Sequence, residues 1–165
     1  MKNSVILNNA QIQHKSKRIA YQILESNSSE KEVVIAGIQG NGIYFAEQLA
    51  TSLEQISSLK IILCEVYIDK KNPLNTISTS IQNSEYKNKP IVLVDDVLNS
   101  GTTLMYGIKY FLDVPLKRFK TAVLVNRNHK KYPVKADFKG ISLSTSIKEH
   151  VEVVFDGKRS KAFLI

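Results

Sequence analysis

Residues 91–104, IVLVDDVLNSGTTL, constrain the fold of this chain more than any other stretch. An apolar run, Ile91 to Val94, leads directly into two adjacent carboxylates, Asp95 and Asp96. A turn of small residues follows, Asn99-Ser100-Gly101-Thr102-Thr103, and an amphipathic run begins at Leu104. A buried strand feeding a short turn and then a helix is part of a parallel β-α-β unit. Open sheets of that kind bind ligands in the crevice beyond the carboxyl ends of their strands. A Gly/Ser/Thr turn at a helix start offers N–H groups and hydroxyls to a phosphate, and the helix dipole favours the negative charge. The stretch therefore puts phosphate donors beside acceptors for sugar hydroxyls. An ordinary strand with an acidic turn and a helix cap is the bland alternative, but a pattern of about 13 positions is far more specific than a lone glycine-rich loop.

The rest of the chain repeats the alternation of strand and helix. Residues 9–25 show Ile12, Ile19, Ala20, Ile23 and Leu24 at helical spacing, with Asn8 or Asn9 as the cap. EVVIAGI, residues 32–38, reads as a buried strand, and Gly40 and Gly42 then break the chain. A helix over about 43–57 and a strand over 60–68 follow, then a polar stretch, 69–89, that reads as a mobile loop or a weak hairpin. A strand over 90–95, a helix over 102–112 and a strand over 120–126 come next. Pro115 marks the end of that helix. Short strands are expected at 136–138, 141–143 and 151–155. This order implies right-handed crossovers and a central parallel sheet, with the first helix and the C-terminal segments covering its edge.

A chain of 165 residues suffices for one domain with a proper core, and residues 1–165 are expected to form one. The single cysteine, Cys64, lies in an apolar run and reads as a core residue; no Cys/His cluster has zinc spacing. With no signal-peptide core and no apolar stretch long enough for a membrane span, a cytoplasmic location is expected. Net charge is +8. The excess is concentrated at 117–139, where Lys117, Arg118, Lys120, Arg127, Lys130, Lys131, Lys135 and Lys139 face only Asp137. Such an excess attracts polyanions or simply keeps a face solvated.

Asp95 and Asp96 are consecutive, so a regular strand aims them at opposite faces and gives them different jobs. The turn Ile38-Gln39-Gly40-Asn41-Gly42 has the spacing Gly37-x-x-Gly40-x-Gly42, which fits neither the G-x-G-x-x-G fingerprint nor a P-loop.

The 91–104 pattern resembles the phosphoribosyl pyrophosphate motif of type I phosphoribosyltransferases: apolar residues, two acids, two apolar residues, then Thr/Ser-Gly-x-Thr. Blocks 5–27, 33–56 and 121–146 are similar to successive blocks of the bifunctional pyrimidine-operon attenuator and uracil phosphoribosyltransferase family. The likeness spans about residues 5 to 155 and is weak over 69–89. It implies an α/β fold of the type I phosphoribosyltransferase kind, a mostly parallel sheet flanked by helices, with a small hood built in part by 128–150.

The implied activity is transfer of the phosphoribosyl group from phosphoribosyl pyrophosphate to a nucleobase, uracil first, giving UMP and pyrophosphate with Mg²⁺. The alternative is a nucleotide-sensing, RNA-binding regulator of pyrimidine gene expression that binds an mRNA leader and has weak or no transferase activity. A nucleotide-binding relic with neither activity is a third reading. A homodimer is also implied.

Residue by residue, the resemblance gives Asp95 and Asp96 the ribose hydroxyls, directly or through the waters of Mg²⁺, as both catalytic and metal-binding residues. Asn99, Ser100, Gly101, Thr102 and Thr103 would wrap the 5′-phosphate. Gln39, Gly40 and Asn41 would form the pyrophosphate loop, where this family usually has a basic residue and this chain has amides. Lys70 and Lys71 are candidates for the leaving pyrophosphate in a 69–89 lid that lacks arginine. Asn126 would lie near the base, where an acid is usual, and Arg127 would flank the ligand. Phe138 would stack on the base, with the rival reading of a core phenylalanine, and the Lys139 backbone would pair with the base edge. His129, Lys130 and Lys131 are the candidates for RNA contact. Purine transferases of this fold usually place an acid where Asn99 stands, which disfavours purines.

Overall fold

The computed structural model describes residues 4–165. Nine strands and four α-helices follow in order: β1 (Ser4–Leu7), α1 (Asn9–Ser26), β2 (Glu32–Ile38), α2 (Asn41–Ile56), β3 (Lys60–Tyr67), β4 (Ser78–Thr79), α3 (Asn83–Tyr86), β5 (Pro90–Leu98), α4 (Thr102–Phe111), β6 (Arg118–Asn126), β7 (Phe138–Ser142), β8 (Val151–Val154) and β9 (Lys161–Leu164). A 3₁₀ turn, Gly157–Arg159, precedes β9.

Six strands form the main sheet in the order β4-β3-β2-β5-β6-β7. The β2–β3, β2–β5, β5–β6 and β6–β7 pairs are parallel; only β4 runs antiparallel, against β3. The expected α/β architecture is therefore present. Strands β2, β5 and β6 are almost wholly buried because helices cover both faces. On one face, Val33, Ile35, Val92, Val94, Ala122 and Leu124 pack with the apolar sides of α1 and α2, including Ile12, Ile19, Phe45 and Leu49. On the other, Val34, Ala36, Ile91, Leu93 and Val123 pack with Leu104 and Phe111 of α4 and Tyr86 of α3. Each such fully buried side chain contributes about 1.5–3 kcal/mol.

Helix α1 begins with a reciprocal cap: Asn8 Oδ1 accepts from Gln11 N, and Gln11 Oε1 accepts from Asn8 N, both at 2.9 Å.

Several elements depart from the sequence reading. Strand β5 does not stop at the acids but runs to Leu98, because Val97 and Leu98 continue the ladder against Val125 and Asn126. Helix α2 starts at Asn41, two residues early, with Gly40 as its cap. In the stretch 69–89 the weak-hairpin alternative holds, since β4 pairs antiparallel with β3, and α3 adds an anchor, with Tyr86 edge-on against Phe111 at 5.0 Å. The two short strands expected at 136–138 and 141–143 are one, β7. The expected hood segment, 128–150, supplies no second sheet. That sheet is antiparallel, β1-β9-β8, and joins the two ends of the chain, with Ser4 opposite Leu164. Helix α1 covers the sheet face at its β7 edge, where Arg18 donates to the carbonyls of Lys139 and Gly140.

Candidate functional site

The parallel strands end together, so the segments after β5 and β6 open on the same side of the sheet. There a cavity of about 340 Å³ is lined by Lys70, Asp95 to Leu104, Arg127, His150 and Val151. It contains both acids and the entire small-residue turn. A second cavity adjoins it, lined by Gln39, Gly40, Tyr67 to Lys71, Thr76 and Ser78. Asp95, Asp96, Asn99, Ser100, Gly101, Thr102, Thr103 and Arg127 are thus brought together around one space, and Gln39 and Gly40 face the neighbouring one.

The two acids take different partners. Asp95 is 3% exposed, accepts from the Asp96 N–H, and has Lys70 Nζ at 3.2 Å. Burial, then the neighbouring Asp96 charge, pushes its carboxyl up to about 7, against the opposing pull of Lys70. Asp96 is only partly buried and accepts from Asn41 Nδ2 at 2.9 Å. The apolar alternation of the sheet also slips here: Val97 packs with the α1/α2 side and Leu98 with the α4 side, the reverse of what the period from Ile91 to Val94 requires.

The turn before α4 is shaped for an anion. Gly101 caps the helix with φ +83° and brings no side chain to it, while the Thr102 N–H donates to Ser100 Oγ at 3.3 Å. A Cβ on Gly101 would stand 2.5 Å from Val134 Cγ1, so both conformation and space require glycine. Ser100 Oγ shares a 2.8 Å hydrogen bond with Thr102 Oγ1. The Ser100 carbonyl accepts from the N–H groups of Lys131 and Tyr132, which ties the 128–136 loop to the turn. A glycine-capped helix start flanked by hydroxyls is of the kind that can receive an anion. Gly42 allows a second close approach: a Cβ there would meet Val94 O at 2.9 Å and Asp95 Oδ1 at 3.1 Å. The first turn of α2 thus presses on the acidic strand.

Other expected ligand residues are used by the protein itself. Asn41 Nδ2 donates to Asp96 Oδ2 and to Val153 O at 2.7 Å, linking α2, β5 and the small sheet. Arg127 is 3% exposed and has no carboxylate within salt-bridge distance among the described residues. Its guanidinium donates to Asn99 Oδ1 at 3.0 Å, to Thr145 Oγ1, and to the carbonyls of Ser146 and Glu149. It ties the 145–149 segment to Asn99 as well as lining the cavity. His129 turns inward, with Nε2 2.6 Å from Thr145 O, while Lys130 and Lys131 are exposed.

Phe138 and Lys139 are not on the cavity wall. Phe138 opens β7 opposite Ala122 and packs into the α1/α2 core. The Lys139 carbonyl accepts from Arg18 at 3.1 Å. It is the other end of β7 that approaches the cavity edge, where Asn126 Nδ2 donates to Ser142 Oγ at 3.4 Å and Leu143 N donates to Asn126 O. Phe138 and Lys139 thus stand at the start of their parallel strand, away from the carboxyl ends, with Phe138 packed against the core.

The basic run 117–139 is not one patch either. Lys117 and Arg118 sit at the opposite end of β6, a span of about 27 Å at the usual rise, and pair with Glu30, Ser26 and Asn27. Nothing local in sequence marks His150 and Val151; only the fold brings them to the cavity, and brings Thr145 to Arg127.

Among the described residues no group of three or more His, Cys, Asp or Glu side chains is placed to hold a metal. A buried acid beside a second one, with a single partly exposed ammonium to offset them, does fit a hydrated Mg²⁺ that takes one or two carboxylates. No helix among the described residues is long and apolar enough to cross a membrane.

Residues 3–156 match the family model described as "Phosphoribosyl transferase domain". The chain is similar to "Bifunctional protein PyrR" of Leuconostoc mesenteroides, 34% identical with 96% of each chain covered. It is similar to the protein of the same name from Streptococcus thermophilus, 33% identical over 97% of this chain and 96% of that one. In fold it is similar to the hypoxanthine phosphoribosyltransferase of Trypanosoma cruzi, with a TM-score of 0.75, 13% identity, and 90% and 84% of the two chains covered. A hypoxanthine-guanine phosphoribosyltransferase of Bacillus anthracis superposes with a TM-score of 0.70 at 18% identity over 87% and 84%.

Proposed function

Because the chain belongs to the phosphoribosyl transferase domain family, in its bifunctional PyrR branch, we propose that it transfers the phosphoribosyl group of phosphoribosyl pyrophosphate to uracil, giving UMP and pyrophosphate. One observation carries this reading: the acidic pair and the glycine-capped, hydroxyl-rich turn share a single cavity. That cavity has acceptors for a ribose diol on one wall and donors for a phosphate on the next.

The chain's own residues act by positioning and electrostatics. The N–H groups at the start of α4, with the Ser100, Thr102 and Thr103 hydroxyls, hold the 5′-phosphate. Asp96, the more accessible acid, accepts from a ribose hydroxyl. Asp95, buried beneath, places negative charge close to the ring carbon that becomes cationic as the pyrophosphate bond breaks. Arg127 keeps the 145–149 segment tied to Asn99 at the cavity wall, which limits water at that carbon. Asp95 and Asp96 would hold a hydrated Mg²⁺, which when bound would supply charge neutralisation for the pyrophosphate. Gln39 and Gly40 face the adjoining cavity, where amide donors replace a basic residue. The test is turnover with uracil, hypoxanthine, guanine and xanthine. Release of pyrophosphate with uracil is expected, and none with any base, in folded protein, refutes the reading.

A second activity, binding of a pyrimidine-operon leader RNA, is favoured by the exposed Lys130 and Lys131 and by the name "bifunctional" of the relatives. Leader RNA is expected to bind more tightly than a scrambled one across a salt series; equal affinity leaves only polyanion attraction. The setting we assign is the cytoplasm, and the assembled form a homodimer.

A further inference from the structure

The two adjoining cavities share one wall residue, Lys70. Its Nζ lies 3.2 Å from Asp95 Oδ1, so an ammonium stands against the buried acid. Asp96, next to it, has no cationic partner among the described residues.

The backbone around Lys70 is braced. Asp69 Oδ1 accepts from Lys71 N and Asn72 N, and Asp69 Oδ2 accepts from Asn75 Nδ2. The lysine side chain, in contrast, is 44% exposed, so its four-carbon stem is free to rotate. Side chains of that kind change rotamer in picoseconds to nanoseconds, with no loop rearrangement.

We infer that Lys70 is a built-in counterion of Asp95 that keeps free divalent metal off the acidic pair, so that metal enters only together with a polyphosphate. An ammonium and a divalent cation on one carboxylate repel each other, and low dielectric strengthens the repulsion. A bare metal ion therefore has to expel Lys70 and leave it without a partner. A metal carried by a polyphosphate brings its own negative charge. Lys70 then turns from Asp95 into the second cavity, which it already lines, and keeps an anionic partner throughout. This also gives positive charge to the side of the site where Gln39 and Asn41 bring none. The idea rests on the transferase reading for the identity of the polyphosphate, but not for the exclusion of free metal.

The test is titration of the full chain with Mn²⁺, followed by electron paramagnetic resonance, with no substrate present. Wild type is expected to bind free Mn²⁺ weakly. K70M and K70Q are expected to bind it about tenfold more tightly or better, K70R like wild type, and K70M/D95N to lose the gain. Adding inorganic pyrophosphate is expected to bring Mn²⁺ onto wild type. Equal affinity of wild type and both neutral variants for free Mn²⁺, with melting curves showing all three folded, overturns the inference, as does a gain in K70R equal to that in K70M. None of these readouts uses turnover. A failed transferase assay beside an intact tenfold gain would count against the proposed reaction alone.

Discussion

The Arg127 guanidinium donates to Asn99 Oδ1 at 3.0 Å, so the residue after β6 holds the first residue of the phosphate turn after β5. A guanidinium only donates, which fixes the Asn99 amide with its oxygen toward Arg127. The same side chain reaches Thr145, Ser146 and Glu149. Two sides of the cavity are therefore set by one buried charge.

Substitution R127M leaves those acceptors without a donor. Unfolding free energy is expected to fall by about 2–4 kcal/mol, and amide exchange to rise over 143–150 but not in β2. Unchanged exchange in that segment would mean that the clamp holds nothing.

Gly101 and Val134 compete for the same space, and the backbone of Gly101 is left-handed. G101A is expected to cost about 1–3 kcal/mol and to weaken binding of ribose 5-phosphate at least about tenfold. Adding V134A removes the clash but not the strained φ, so stability should recover only in part. Full recovery in calorimetry would assign the whole cost to packing.

What could be read from sequence was what depends on neighbours in the chain. The cap of α1 needs only Asn8 and Gln11, and the strand, acids and turn of 90–103 are consecutive. What could not be read depends on distant partners. Ser4 pairs with Leu164, so the small sheet leaves no local pattern. That Arg127, which lines the cavity, also holds the carbonyls of 146 and 149 leaves no local pattern. Strand β5 was cut short at Asp95 because charges are rare inside sheets; the exception is possible where the strand end lines a cavity. Phe138 sits in a short segment whose depth in the sheet only the register with Ala122 reveals.

Lys130 and Lys131 are exposed on the loop tied to Ser100. If they meet RNA phosphates, K130A/K131A lowers affinity for the leader RNA and reduces the slope of log K against log salt by about 1.4 to 1.8, the contribution of two phosphates on single or double strands. An unchanged slope would place the RNA elsewhere on the surface.

Asp95 makes stability depend on pH in a stated direction. Its carboxyl is raised from the ordinary 3.8 to about 7, first by burial and then by Asp96. Between those values the folded chain keeps a proton that the unfolded chain has released. The unfolding free energy therefore falls as pH rises from about 4 to about 7, and the contribution is lost once Asp95 ionises. The interval corresponds to roughly 4 kcal/mol at most. D95N keeps an acceptor for the Asp96 N–H and has nothing to titrate. The difference between variant and wild type in urea unfolding should be small at pH 4, should grow in favour of the variant through pH 7, and should stay level above it. A difference that is flat across pH 4–8 would show that Asp95 ionises in the folded chain as easily as in water, and the buried acid would lose its part in the account of the site.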